Sequence, residues 1–132
     1  MTTNDPNVDN ASYEASSINP YQYWAQVTRI VDGDTMDFEV SLGFGITISK
    51  RARLLGVDTP EVWGVKKSSD EYQRGQEASN FVKEIMPEGK WVELIVHKGK
   101  VREKYGRFLC EVFVDGLSLN EALVDKGWGA TY

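Results

Sequence analysis

The chain is poor in the residues that carry several familiar chemistries. Among its 132 residues there is one cysteine, Cys110, so no disulfide can form within the chain. There is one histidine, His97, and no Cys/His cluster with zinc spacing. A lone histidine at a strand end reads as a structural or surface residue. No apolar run approaches the roughly 18 residues of a membrane span. The first 20 residues, MTTNDPNVDNASYEASSINP, lack the basic start and apolar stretch of a signal peptide. A soluble chain is therefore expected, in an intracellular, plasmid or phage setting, with no membrane association. No internal repeat or low-complexity tract interrupts it.

Positive charge is also scarce overall, with a net charge of −5. That total conceals a strong asymmetry. Residues 1–20 hold Asp5, Asp9 and Glu14 and no Lys or Arg, whereas Lys98, Lys100, Arg102, Lys104 and Arg107 face only Glu103 within 98–107. Lys50, Arg51 and Arg53 form a second basic cluster and Lys66-Lys67 a third. Basic patches of this kind suit a polyanion, with 98–107 as an electrostatic guide.

The length suits one domain large enough to bury a core without staples. Residues 1–20, rich in Asn, Ser, Asp and Thr, read as a flexible N-terminal arm, and 21–132 as the folded domain. Trp24–Val31 has strand composition and ends at the turn signal Asp32-Gly33-Asp34. Met36–Leu42 alternates, with Met36, Phe38, Val40 and Leu42 on the inner side. Gly43-Phe44-Gly45 turns the chain into a third strand, Ile46–Val57. A helix follows, capped by Asp70, with Tyr72, Ala78, Phe81, Val82 and Ile85 as its apolar face and Pro87 and Gly89 beyond its end. Trp91–Val96 and Phe108–Val114 are two further strands, and the second places Cys110 inward as a small hydrophobe. Ser118 opens a short helix with Ala122, Leu123 and Val124 inward, stopping near Gly127. Three strands, helix, two strands, helix predict an α+β domain built on a five-stranded OB-fold Greek-key barrel with two helices. Trp24, Trp91 and Trp128 are assigned to its core or rim, and Trp63 is a candidate for stacking on a base.

Four charged corners stand out: Asp32-Gly33-Asp34-Thr35, Arg53, Asp58-Thr59-Pro60-Glu61, and Arg107 after Lys104-Tyr105-Gly106. Each alone could be a turn or a solvated surface. Together they match the needs of phosphodiester cleavage: a hard cation on the phosphate, a group to activate water, and fixed positive charge for the developing anion. Asp34, Asp58 and a carbonyl near Thr59 are suitable oxygen ligands. Pro60 restrains Glu61, and the two arginines can fork onto phosphate oxygens.

VDGDT, RLLGVDTPE and EKYGR, in this order and spacing, resemble the staphylococcal nuclease (thermonuclease) family over about residues 24–132, including NEALV and Gly127 near the end. The resemblance implies an oligonucleotide-binding barrel and Ca2+-dependent endonucleolytic hydrolysis of DNA and RNA to 3′-phosphate ends. By position it implies Asp34, Asp58 and the Thr59 carbonyl as metal ligands, and Glu61 as general base or water-positioning residue. Arg53 and Arg107 would bind phosphate, Lys104, Tyr105 and Leu109 would line the nucleotide pocket, and Asp32 would support the metal carboxylates. A monomer is expected. The acidic balance predicts weak, salt-sensitive binding of nucleic acid. The alternative is a barrel of the same family that binds nucleic acid or protein without cutting.

Overall fold

The computed structural model describes residues 21–62, 66–97 and 107–130. The arm 1–20, Trp63, Lys104 and Tyr105 lie outside these described residues. Six strands and two helices follow in order: β1 (Gln22–Asp32), β2 (Thr35–Gly43), β3 (Ile46–Leu54), α1 (Asp70–Ile85), β4 (Trp91–Val96), β5 (Phe108–Val114), the two-residue β6 (Leu117–Ser118) and α2 (Leu119–Leu123), which runs into a wide helical turn, Val124–Trp128.

The sheet order is β3-β2-β1-β4-β5-β6, and a parallel pairing of β3 with β5 joins its ends. Strands β1 to β5 thus close into the barrel that the strand count predicted, and closure removes the free edges on either side of β3 and β5. Alternation fills its interior. Met36, Phe38 and Val40 of β2 and Ala52 and Leu54 of β3 are buried, with Val27, Val92, Leu94, Cys110 and Val112 from the other strands. Each large side chain so buried contributes about 1.5–3 kcal/mol of hydrophobic stabilisation. The intervening residues face outward, where Arg51 forks onto Asp37 at 2.7 and 3.0 Å.

Several local expectations need correction. The third strand ends at Leu54 rather than Val57, because Leu55-Gly56 turns there with Gly56 at φ 78° and Val57 makes only an isolated bridge to Gly129. Ser69, not Asp70, caps α1: its hydroxyl accepts the Tyr72 N–H at 3.1 Å. The fully buried face of α1 is Gly75, Ala78, Ser79 and Val82, so small residues do the close packing while Tyr72, Phe81 and Ile85 sit at its margins. Leu42 lies on the inner side of β2 as expected but is exposed at the open end of the barrel, and Val124 is exposed instead of inward. Trp24 and Trp91 stand half exposed on the outer face of the β1–β4 pair, since their register positions alternate away from Ala25 and Val92. Trp128 meets expectation by packing on Phe81, with ring centroids 6.1 Å apart. No helix among the described residues is long and apolar enough to cross a membrane.

Candidate active site

Two turns and the start of β5 meet on one side wall of the barrel. The first turn joins β1 to β2 through Gly33-Asp34. Gly33 lies in the turn that the sequence signals, but its φ is not positive. Its role is close approach: a Cβ there would come within 2.8 Å of the Ala78 Cβ on α1 and 3.0 Å of the Thr59 side chain. Asp34 is buried by this packing. Its Oδ1 accepts the Thr35 hydroxyl at 2.9 Å, and its Oδ2 accepts the Thr59 N–H at 3.2 Å. One carboxylate therefore ties the two turns together and sets the Asp58-Thr59 peptide beside it.

The second turn follows β3. Asn120 of α2 donates to the Leu55 carbonyl at 2.8 Å and the Cys110 carbonyl at 3.1 Å, and accepts the Val112 N–H at 3.0 Å. Further on, the Asp58 N–H donates to Trp128 O, and the Ala130 N–H to Gly56 O, both at 2.9 Å. The segment carrying Asp58 is thus laced to the C-terminal part of the chain, which explains how an exposed carboxylate holds its place.

Arg53 joins these parts. It lies opposite Thr35 across β2–β3 and opposite Leu109 across β3–β5, on the outer face of the barrel. Its Nη2 lies 3.5 Å from Asp34 Oδ2, 3.3 Å from Asp58 Oδ1 and 3.4 Å from the Val57 carbonyl. Its Nε is buried and has no hydrogen-bond partner. The guanidinium is compensated along one edge and offers a vacant donor on another. Arg107 enters from the start of β5, where its Nη1 donates to the Thr35 hydroxyl at 3.2 Å. Thr35 thereby links Arg107 to Asp34.

Asp32 sits at the end of β1 with Oδ1 buried and unpartnered. Its pKa is pushed up to about 6, chiefly by burial, then by the like charge of Asp34; the Val62 N–H and Arg107 pull it down, while Glu61 pushes it up. Asp32, Asp34, Glu61 and Arg107 accordingly share one electrostatic neighbourhood. Glu61 itself is exposed. The loop carrying it is backed by Gly75 of α1, where a Cβ would come within 2.7 Å of the Pro60 carbonyl oxygen and 2.9 Å of the Glu61 carbonyl oxygen.

Of the residues singled out in the sequence, Asp32, Asp34, Arg53, Asp58, Thr59, Glu61, Arg107 and Leu109 fall in this region; Lys104 and Tyr105 lie outside the described residues. His97 stays outside the cluster, with Nε2 3.0 Å from Glu111 Oε1. Sequence reasoning missed the supporting roles of Thr35, Gly75 and Asn120. Only Asn120 left a readable signal, as the first residue of the NEALV stretch that the family resemblance includes.

Comparison with known proteins identifies a family for the chain. Residues 51–132 match the family described as Staphylococcal nuclease homologue. Endonuclease YncB of Bacillus subtilis is 40% identical over 99 residues, covering 75% of this chain and 43% of the relative. An uncharacterized protein of Bacillus anthracis is 39% identical over 104 residues, covering 79% of this chain and 45% of its own length. The Thermonuclease of Staphylococcus intermedius is 32% identical over 101 residues, 76% of this chain and 55% of that protein. The chain spans about half the length of these relatives, or somewhat less. On the family match over residues 51–132 and these relatives, and with a barrel of the expected kind, the chain belongs to the staphylococcal nuclease homologue family.

Proposed function

We propose that this chain is a calcium-dependent endonuclease that hydrolyses phosphodiester bonds of DNA and RNA and leaves 3′-phosphate ends. The observation carrying this reading is the Arg53 guanidinium, which touches both Asp34 and Asp58 while its Nε stays buried without an acceptor. Only Nη2 of Arg53 is used in these contacts, and a phosphate oxygen is the natural complement of the guanidinium N–H groups that remain.

The carboxylate region suits a hard cation. Asp34 and Asp58 both reach one guanidinium nitrogen, and Asp32 keeps a buried oxygen unpartnered. Among the described residues no three His, Cys, Asp or Glu side chains form a ready-made ligand cluster. Asp34, Asp58 and the Thr59 carbonyl would hold Ca2+, with water and phosphate oxygens completing a loose shell of the kind Ca2+ accepts more readily than Mg2+. When bound, the cation neutralises phosphate charge and favours the more anionic transition state.

The chain's own groups do the rest. Glu61 accepts a proton from a water whose oxygen forms the new bond to phosphorus. The bond from phosphorus to the 5′ oxygen breaks, and the 5′ hydroxyl leaves with a proton from solvent. Arg53 and Arg107 hold the non-bridging oxygens and stabilise their added charge. Leu109, beside Arg53, and the neighbouring Lys104 and Tyr105 would contact the nucleotide.

The test is incubation of plasmid DNA, single-stranded DNA and RNA with Ca2+, with Mg2+ and with chelator. Fragments are expected with Ca2+ and none with chelator. Glu61→Gln should slow cleavage by about 10^3-fold and Arg53→Ala by at least as much, with unchanged circular dichroism. Wild-type rates from Glu61→Gln would sink the assignment, and retention of nucleic acid without fragments would mark a binding-only barrel.

A further inference from the structure

The β2–β3 hairpin carries an apolar knob at its tip and lines one side of a hole in the barrel. At its tip, Gly43, Phe44 and Gly45 all take positive φ, at 82°, 55° and 75°. That conformation is poor for phenylalanine and natural for glycine or asparagine. Phe44 is also fully exposed, at 101% of its reference area, and Leu42, Ile46 and Ile48 beside it are exposed apolar residues. Neither the backbone nor burial within its own chain favours a phenyl ring here.

Just below the tip, the barrel interior holds a cavity of about 160 Å3. Its walls include Tyr23, Phe38, Leu42, Ile48 and Phe108, and Lys50 is the one charged side chain in its lining. An apolar cavity of about 150 Å3 is known to stay dry and accept benzene. The chemistry of the walls selects the occupant. A nucleobase would bring several donors and acceptors into a pocket that offers almost no polar partner, which is unfavourable. A phenyl ring brings none. Lys50 Nζ already stands 5.4 Å from the Phe108 ring centroid, the range in which an ammonium group also favours a second aromatic face.

We infer that this face is a self-association surface, in which Phe44 of one copy enters the cavity of a second copy and receives that copy's Phe44 in return. The hairpin carries the knob and, through Leu42 and Ile48, part of the wall of the hole, so a two-fold axis can satisfy both at once, as an isologous contact requires. Two phenyl rings and the paired Leu42, Ile46 and Ile48 side chains would bury on the order of 1,000 Å2, the size at which a specific interface becomes credible. This dimer is the alternative to the monomer expected from the sequence. The contact stands apart from the Arg53 site, because Lys50 and Ala52 alternate inward along β3 while Arg53 points outward.

Sedimentation velocity over a concentration series reads the outcome directly. The intact chain, 14.9 kDa by sequence, is expected to sediment at twice that mass as concentration rises. Phe44→Asp removes the knob and should raise the dissociation constant by roughly a thousandfold, since both contacts are lost. Ala52→Phe fills the hole from within, and Ile48→Asp charges its rim should the filled barrel fail to fold. Mixing Phe44→Asp with Ala52→Phe restores one knob and one hole, so a mixed dimer should form where neither variant dimerises alone. An intact chain that stays monomeric overturns the proposal, whether its cavity takes the 1–20 segment, a nucleobase or nothing. So does a dimer that survives Phe44→Asp.

Discussion

Asn120→Ala offers the sharpest test of how the acidic turn is held. The side chain is buried and makes three hydrogen bonds, to Leu55 O, Cys110 O and Val112 N–H. Alanine removes all three. The Cys110 carbonyl keeps the Leu55 N–H at 2.9 Å, so the groups left without this partner are the Leu55 carbonyl and the Val112 N–H. At about 1–3 kcal/mol for each orphaned buried group, with a small cavity added, the expected loss is about 3–5 kcal/mol. For a domain whose whole stability is about 5–15 kcal/mol, that loss is severe. Urea unfolding followed by circular dichroism should show a lower midpoint with an unchanged slope. Asn120→Asp separates hydrogen bonding from volume. It keeps an acceptor for Val112 N–H but sets a carboxylate against two carbonyl oxygens, so it should be at least as damaging at neutral pH and recover partly when acid protonates it. A loss below about 1 kcal/mol for Asn120→Ala would refute the reasoning, because it would mean that the turn before Asp58 does not depend on this amide.

Gly75→Ala should disturb the site more than the fold. The added methyl meets the Pro60 and Glu61 carbonyls, so the loop carrying Glu61 must shift, and cleavage should fall by about 10^2-fold with a modest change in melting temperature. Asp32→Asn tests the electrostatics in chelator. The folded pKa of Asp32, about 6, exceeds its ordinary 3.8, so the folded chain binds the proton more tightly than the unfolded chain does. Its ionisation therefore costs stability as pH rises through this window, and Asp32→Asn should stabilise the metal-free protein above about pH 6 while changing little below about pH 4. Equal effects at both pH values, read from urea midpoints, would contradict that sign.

Much of the barrel could be read from residue order. Strands Trp91–Val96 and Phe108–Val114 match residue for residue, since sharp alternation and flanking turn signals bound them. Strand β3 was overrun by three residues because Leu55 and Val57 are as apolar as the strand before them, and only the positive φ of Gly56 and the bond from Asn120 turn the chain. The helix cap was misplaced by one residue, since Ser69 and Asp70 are both good caps and the choice depends on which side chain meets the Tyr72 N–H. Apolar periodicity includes Ala78 and Val82 in the face of α1 but omits Gly75 and Ser79, which are also buried; Gly75 and Ala78 make the close approaches to the turns.

The sequence alone determined the chemical types and their order: two acidic turns, two arginines, a barrel-forming alternation and glycines at most positions of left-handed backbone, Phe44 and Asp115 excepted. Those follow from local rules, because periodicity and turn chemistry act over a few residues. Tertiary structure alone decided that one guanidinium nitrogen would stand between Asp34 and Asp58, that Thr35 would connect Asp34 to Arg107, and that a glycine on α1 would set the position of Glu61. Each of these joins residues far apart along the chain. Their distances depend on how closed strands and a packed helix fit together, a property that no local stretch of sequence carries.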